Sequence, residues 1–177
     1  GRLNDRCVTI PEVLREAGYF TFMTGKWHLG LPKGCAPWTR GFDRSLNAVA
    51  GGFYFPDTAK AALYLNGKNV GLRGGPLPQS WYSTDLWVEF GLKFVDEALA
   101  QNKPFFYYLA HNAPHFPLQA PPEDIARWRG KFMKGWDVMR EECYRRQIEM
   151  GLMDKRWPLS PRPKDVKAWD SLTPDEK

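Results

Sequence analysis

The chain has 177 residues, of which 43% are hydrophobic and 15% aromatic, so it is long and apolar enough to bury one sizeable core. Lys and Arg total 25 against 20 Asp and Glu, but the two signs are interleaved, which argues against the basic stripe of a nucleic-acid-binding protein. No run approaches the roughly 20 apolar residues of a membrane span.

The first predicted elements are a helix and a short strand. Thr9 is a suitable N-cap and Pro11 fits the first turn of a helix that Gly18 ends. Tyr19 to Thr24 is aromatic and β-branched without a breaker, which predicts a buried strand. The loop at 25–30 then lies at the end of that strand.

The middle of the chain predicts irregular structure, a hairpin and a long helix. Pro and Gly are frequent from Leu31 to Arg44, and Asn66-Gly67 is a tight-turn signal between two short apolar runs. N-cap oxygens at 83–85 precede apolar residues that recur at helical spacing up to Leu99.

A second helix-strand unit follows. The run from Pro104 to Ala110 is continuously apolar, which predicts a strand buried on both faces of a parallel sheet. Its end places the segment 111–115 in a loop. Further helices are predicted at Glu123 to Lys131 and at Asp137 to Met150.

Two helix-strand units, each ending in a His-bearing loop, predict an α/β fold whose ligands bind beyond the carboxyl ends of the strands. The residues Thr173 to Glu176 form a capping box with Pro174 at the first helical position, directly before the last residue. Gly1 stands where an initiator Met would be. We therefore expect the chain to be an internal fragment, incomplete at both ends, of a larger catalytic domain.

Three histidines and one lysine are the candidate functional residues. Lys26 precedes His28 by two positions, so in an extended loop both side chains can point the same way, a fixed cation beside a titratable donor. Such a pair suits an oxyanion. His111 and His115 lie in the second loop, although a lone histidine is more often structural.

The segment 17–30, with its core Gly-Lys-Trp-His-Leu-Gly at 25–30, closely resembles the second signature of the sulfatases. The segment 104–121 is similar to the second His-bearing loop of bacterial arylsulfatases, and the likeness is strongest at 7–30 and 81–160. The resemblance implies an alkaline-phosphatase-like fold, a mixed or parallel sheet flanked by helices.

The same resemblance implies a role for each matched residue. Lys26 would contact the sulfate and the modified nucleophile, His28 would hydrogen-bond the nucleophile's hydroxyl, and His115 would touch the ester near its leaving oxygen. His111 matches no family role, so we expect it to be structural.

The family's nucleophile and metal ligands are not matched. Sulfatases convert a Cys or Ser to formylglycine within a Cys/Ser-x-Pro-x-Arg motif that precedes the Gly-Lys-Trp-His loop. Cys35-Ala-Pro-Trp-Thr-Arg40 imitates that motif, but its Arg is one residue late and it follows the loop. We interpret Cys35 as unrelated to catalysis. The resemblance implies calcium, with ligands outside this chain, so no metal ligand is assigned within it.

The sequence thus predicts a hydrolase of organic sulfate esters, aryl or carbohydrate sulfates, that is inactive as this chain alone. Two alternatives remain: a phosphate or phosphonate monoester hydrolase of the same superfamily, and a non-catalytic module that holds an anion. No nucleic acid partner is expected. A periplasmic or secreted location is suggested by the resemblance only.

Overall fold

The computed structural model describes residues 2–4, 6–31 and 34–177, which form two compact units, 1–120 and 121–177. The first unit holds a five-stranded sheet and two helices. Its elements in chain order are α1 (Ile10–Glu16), β1 (Phe20–Lys26), a 3₁₀ turn (Pro37–Thr39), β2 (Arg44–Ala48), β3 (Leu63–Leu65), β4 (Lys68–Gly71), α2 (Ser83–Ala100) and β5 (Phe105–Ala110).

The sheet is mixed, with the strand order β4-β3-β2-β1-β5. The central strand β1 pairs in parallel with β2 and with β5, and β2, β3 and β4 pair antiparallel. This topology confirms the predicted α/β class with a mixed, partly parallel sheet. The carboxyl ends of β1, β2 and β5 consequently lie along one edge of the sheet.

The main core lies between the sheet and α2. Phe22 of β1 and Trp87 of α2 are fully buried, and the Phe22 ring packs edge-on against Phe94 and stacks on Tyr107 at 4.9 Å. The Tyr107 hydroxyl donates to the carbonyl of Trp87 at 3.1 Å and therefore accepts from the Thr24 hydroxyl at 2.6 Å. This chain of bonds fastens α2 to the two strands β1 and β5.

Two strand predictions need correction. β2 was not predicted, because its sequence Arg-Ser-Leu-Asn-Ala puts polar residues where a strand normally places apolar ones, although Ser45 and Asn47 are both fully buried. β5 exists where predicted but is not buried on both faces. It is the last strand in the order, and Tyr108 and Leu109 are 44% and 38% exposed.

Glu12 ties the start of α1 to the turn before β2. Its Oε1 accepts from the Nε of the buried Arg40 at 2.8 Å, and its Oε2 accepts from the backbone N–H of Thr9 at 2.7 Å in a complete capping box. The hydrogen bond from Arg40 is the main reason that the pKa of Glu12 lies below its usual range. The predicted start of α1 is confirmed.

Glu12→Gln is expected to lower the free energy of unfolding by roughly 1–3 kcal/mol at pH 7, since Arg40 would keep its burial and lose a charged acceptor. Because the pKa of Glu12 is depressed in the folded state, its carboxylate stabilises the fold above the unfolded value of 4.5 and stops doing so as the pH falls through the lower folded value. Thermal unfolding at several pH values should show the wild-type advantage disappearing in acid.

Glu16→Gln is the matched control, because Glu16 is an exposed carboxylate on the same helix. A difference between Glu12→Gln and wild type that stayed constant from pH 7 to pH 3 would contradict the electrostatic explanation.

The second unit is helical. It contains α3 (Pro122–Trp128), α4 (Gly135–Glu149) and two 3₁₀ turns, Trp169–Ser171 and Pro174–Glu176. The Asp137 carboxylate accepts from the Arg162 guanidinium at 2.9 Å and from the backbone N–H of Trp169 at 3.0 Å. Both predicted helices are present, and the predicted capping box at Thr173 begins a single 3₁₀ turn. None of the helices in the described residues has the length and apolarity needed to cross a membrane.

Candidate active site

The ends of β1 and β5 converge at Gly25. This residue has φ of +113°, and a Cβ added to it would lie 1.9 Å from the carbonyl oxygen of Ala110, the last residue of β5. Only glycine permits so close an approach of the two backbones. Gly25 therefore brings Lys26, which ends β1, next to the loop that follows β5.

Lys26 is half-buried, and its side chain lies along the backbone of Gly51 in the loop that follows β2. A Cβ at Gly51 would be 2.8 Å from Cδ and 2.9 Å from Nζ of Lys26. The ammonium group is thus held at the carboxyl ends of the parallel strands, where α/β proteins usually bind their ligands.

His115 lies against the next residue of the same loop, Gly52. A Cβ at Gly52 would be 3.8 Å from Cε1 of its ring. The ring Nδ1 lies 2.6 Å from the carbonyl oxygen of Phe116, and since a carbonyl can only accept, Nδ1 carries the proton. Within the part of the chain that the structure describes, Nε2 has no hydrogen-bond partner, so it is open to a ligand, as an acceptor when neutral and as a donor when protonated.

Two buried residues, Asn112 through its backbone and Tyr54 through its side chain, fix the backbone of His115. Its N–H donates to the carbonyl of Asn112 at 2.8 Å, and its carbonyl accepts from the hydroxyl of Tyr54 at 2.7 Å. Burial is the main reason that the pKa of Tyr54 is raised, so this hydroxyl remains a donor at neutral pH. Neither Asn112 nor Tyr54 was predicted from the sequence, because only the fold brings them to His115.

His28 is exposed and follows β1 by two residues. Trp27, between Lys26 and His28, is buried: its indole N–H donates to the carbonyl of Cys35 at 2.9 Å. With Trp27 anchored in the core, Lys26 and His28 line one open depression of about 450 Å³. This depression is lined by Lys26, Trp27, His28, Leu29, Tyr108, Ala110 and His111.

Among the residues that the structure describes, no carboxylate lines this depression, and the cationic or titratable groups that do are Lys26, His28 and His111, so its chemistry suits an anion. The structure thus brings Lys26 together with His28 in the depression, and it places Lys26 and His115 against adjacent residues of the loop, Gly51 and Gly52. It also places His111, for which a structural role was expected, beside Lys26 and His28. The role of His111 stays a prediction.

Cys35 is 1% exposed, and its thiol lies 3.5 Å from the carbonyl oxygen of Leu3. A side chain so buried cannot meet a substrate, which supports the interpretation that Cys35 is unrelated to catalysis. Over residues 2–4, 6–31 and 34–177, no group of three or more His, Cys, Asp or Glu side chains could hold a metal ion. The described residues therefore do not by themselves fit the calcium that the family resemblance implies.

Comparison with known proteins decides the family. The Sulfatase family model matches residues 2–164, which include the loops that carry Lys26, His28, His111 and His115. The chain belongs to the sulfatase family. An uncharacterised sulfatase of Schizosaccharomyces pombe is 36% identical to this sulfatase chain over all of it, and the arylsulfatase of Klebsiella aerogenes is 33% identical over 99% of it.

The solved structure of Ps i-CgsB in complex with k-i-k-neocarrahexaose is also similar to this sulfatase chain, with 37% identity over 68% of the chain, 29% of that structure and a TM-score of 0.60. The chain spans 34% and 38% of the length of the two relatives above. The expected resemblance to sulfatases, and the alkaline-phosphatase-like α/β fold that it implies, are therefore confirmed.

Proposed function

We propose that the protein containing this chain is a sulfuric ester hydrolase, and that Lys26, His28 and His115 act at its active site. The observation that carries the proposal is the placement of the Lys26 ammonium and the His115 ring against adjacent residues of one loop, Gly51 and Gly52, with His28 lining the depression next to Lys26. Three donors at the carboxyl ends of the parallel strands suit a tetrahedral oxyanion.

Each residue has a proposed role. Lys26 contacts a sulfate oxygen and the nucleophile, His28 holds the nucleophile's hydroxyl, and protonated His115 donates from Nε2 near the leaving oxygen. Negative charge grows on that oxygen as the sulfur–oxygen bond breaks, so a fixed cation and a donor stabilise the transition state more than the ground state.

We also propose that this chain is part of a longer protein, since it spans little more than a third of the length of the two relatives above. We infer that it is an internal part of the catalytic domain, and that the formylglycine and the calcium ligands of the family come from outside it. The formylglycine would supply the activated nucleophile that Lys26, His28 and His115 do not provide.

Aryl and carbohydrate sulfates are the proposed substrates. The aryl class is supported by the Klebsiella aerogenes arylsulfatase, and the carbohydrate class by the oligosaccharide bound to Ps i-CgsB. The test is to measure kcat/KM of the longer protein for matched aryl sulfate, aryl phosphate and phosphonate monoester substrates. Preference for the sulfate supports the proposal, and preference for a phosphorus ester would replace it with the phosphohydrolase alternative. Anion binding without turnover of any ester would indicate a non-catalytic module.

The 177-residue chain expressed alone is expected to hydrolyse no chromogenic aryl sulfate and to bind no calcium tightly. Lys26, His28 and His115 can polarise a sulfate, but water would have to attack a hindered anionic centre without an activated nucleophile. Turnover is measured on purified soluble chain with and without calcium, calorimetry measures metal binding, and the longer protein is the positive control. Turnover that persisted through repurification would show that a nucleophile lies within this chain.

A further inference from the structure

The backbone of Gly51 lies against the side chain of Lys26. A Cβ added to Gly51 would lie 2.8 Å from Cδ, 2.9 Å from Nζ and 3.1 Å from Cε of that lysine. Carbon atoms without a bond between them normally pack at about 3.5–4.0 Å, so Lys26 occupies the space that any side chain at position 51 would need.

Backbone conformation does not explain the glycine at this position. Gly51 is absent from the residues with positive φ, unlike Gly25 and Gly67, so an L-residue could adopt its backbone geometry. The conflict at Gly51 is with a flexible side chain and not with backbone. Space for Lys26, and not a turn, is therefore what the glycine provides.

The loop that carries Gly51 is held in place by hydrogen bonds at the residues that follow it, Phe53 and Tyr54. The buried Asn112 side chain donates from Nδ2 to the carbonyl of Phe53 at 2.6 Å and accepts at Oδ1 from the indole N–H of Trp87 at 2.8 Å. The carbonyl of Tyr54 accepts from the N–H of Ser83 at 2.7 Å. Both anchors, Trp87 and Ser83, belong to α2, so the loop cannot move away from Lys26 without breaking bonds to this helix.

Asn112 and Tyr54, through which α2 holds the loop, also contact His115. Asn112 accepts from the His115 N–H through its carbonyl, and the Tyr54 hydroxyl donates to the His115 carbonyl. One network therefore fixes both the backbone of His115 and the loop against which Lys26 lies.

We propose that Gly51 is a positioning residue: its missing side chain lets the Lys26 ammonium lie against a loop that Asn112 and Tyr54 hold, and so sets where this cation stands relative to His115. The inference rests on the proposed function, because it assigns the position of a cation that the proposal places on the sulfate. A side chain at position 51 would push the ammonium away from its place while leaving the fold intact.

The test is Gly51→Ala in the longer protein, assayed with an aryl sulfate. A displacement of about 1 Å at a reacting group can cost around 10²-fold in rate, so we expect kcat/KM to fall by roughly 10–100-fold. Since the lysine side chain is flexible, the unfolding temperature should stay close to that of wild type. Gly52→Ala is the matched comparison. Its Cβ would lie at ordinary contact distances, 3.4 Å from the Phe116 oxygen and 3.8 Å from the His115 ring. The fall in kcat/KM should therefore be much smaller for Gly52→Ala than for Gly51→Ala.

A double-mutant cycle separates positioning from a structural role. In a Lys26→Ala background, Gly51→Ala should change kcat/KM by less than about 2-fold, because the group that it displaces is gone. An equal loss in both backgrounds, or no loss in the wild-type background, would overturn the inference. Full activity of Lys26→Ala itself would instead overturn the proposed function, so the two failures are distinguishable.

Discussion

Replacing Lys26 by Ala in the longer protein is expected to lower kcat/KM for an aryl sulfate by roughly 10²–10³-fold, and His115→Ala should do the same. The charge that these two side chains meet develops mainly in the transition state, so kcat should fall far more than substrate binding weakens. Steady-state kinetics of purified variants, with unfolding temperatures to show that each is folded, make this measurement.

Two controls accompany these variants. Lys68→Ala removes an exposed lysine on β4 and should leave activity unchanged. His111→Ala should cost much less than His115→Ala, although His111 lines the depression beside Lys26. Equal losses at the two histidines would show that His111 belongs to the reacting site, and unchanged kinetics of His115→Ala would remove His115 from it.

Gly25→Ala is expected to be the most destabilising single change near the site. The new Cβ would stand 1.9 Å from the carbonyl oxygen of Ala110, and the residue would have to keep a φ of +113° that L-residues rarely adopt. Backbone strain and overpacking together should lower the free energy of unfolding by roughly 3 kcal/mol or more. Neither β1 nor β5 can yield without breaking the parallel ladder that joins them.

Gly18→Ala isolates the contribution of the clash. Gly18 also has a positive φ, +88°, but a Cβ there would meet nothing within 4 Å. Gly18→Ala should therefore lower the free energy of unfolding only by the cost of a positive φ in an L-residue, about 1–2 kcal/mol. Thermal or denaturant unfolding of both variants gives the comparison, and equal losses would mean that the approach of Ala110 to Gly25 is not what the glycine is needed for.

The sequence was sufficient for the elements whose signals are local. The Thr9 cap predicted where α1 begins, and Asn66-Gly67 predicted the β3–β4 hairpin, in which both residues have positive φ as that turn requires. The strand prediction for β1 stopped at Thr24, two residues short of its end at Lys26, because Gly25 was interpreted as a loop residue. Glycine inside a strand marks a close approach of another backbone, here that of Ala110.

The site was predictable only in part. Lys26, His28 and His115 carry a family pattern, but the residues that arrange them do not. Gly51 matters because of its contact with Lys26, which comes from β1. Asn112 matters because it bonds to Trp87 of α2 and to the Phe53 carbonyl in the loop after β2. Such contacts join residues far apart in the chain, and no local periodicity or spacing encodes them.

The hydrogen bond between Thr24 and Tyr107 joins residues 83 positions apart, and the one between Tyr54 and His115 joins residues 61 positions apart. Closing such long loops costs chain entropy before any of these contacts can repay it. The two sides of the proposed anion site are therefore expected to meet late in folding, after α1, the β3–β4 hairpin and α2 can form from local contacts. A chain arrested before that step could form much of its helical structure while Lys26 and His115 were still far apart. Anion binding would therefore be a better measure of completed tertiary structure than the secondary-structure content is.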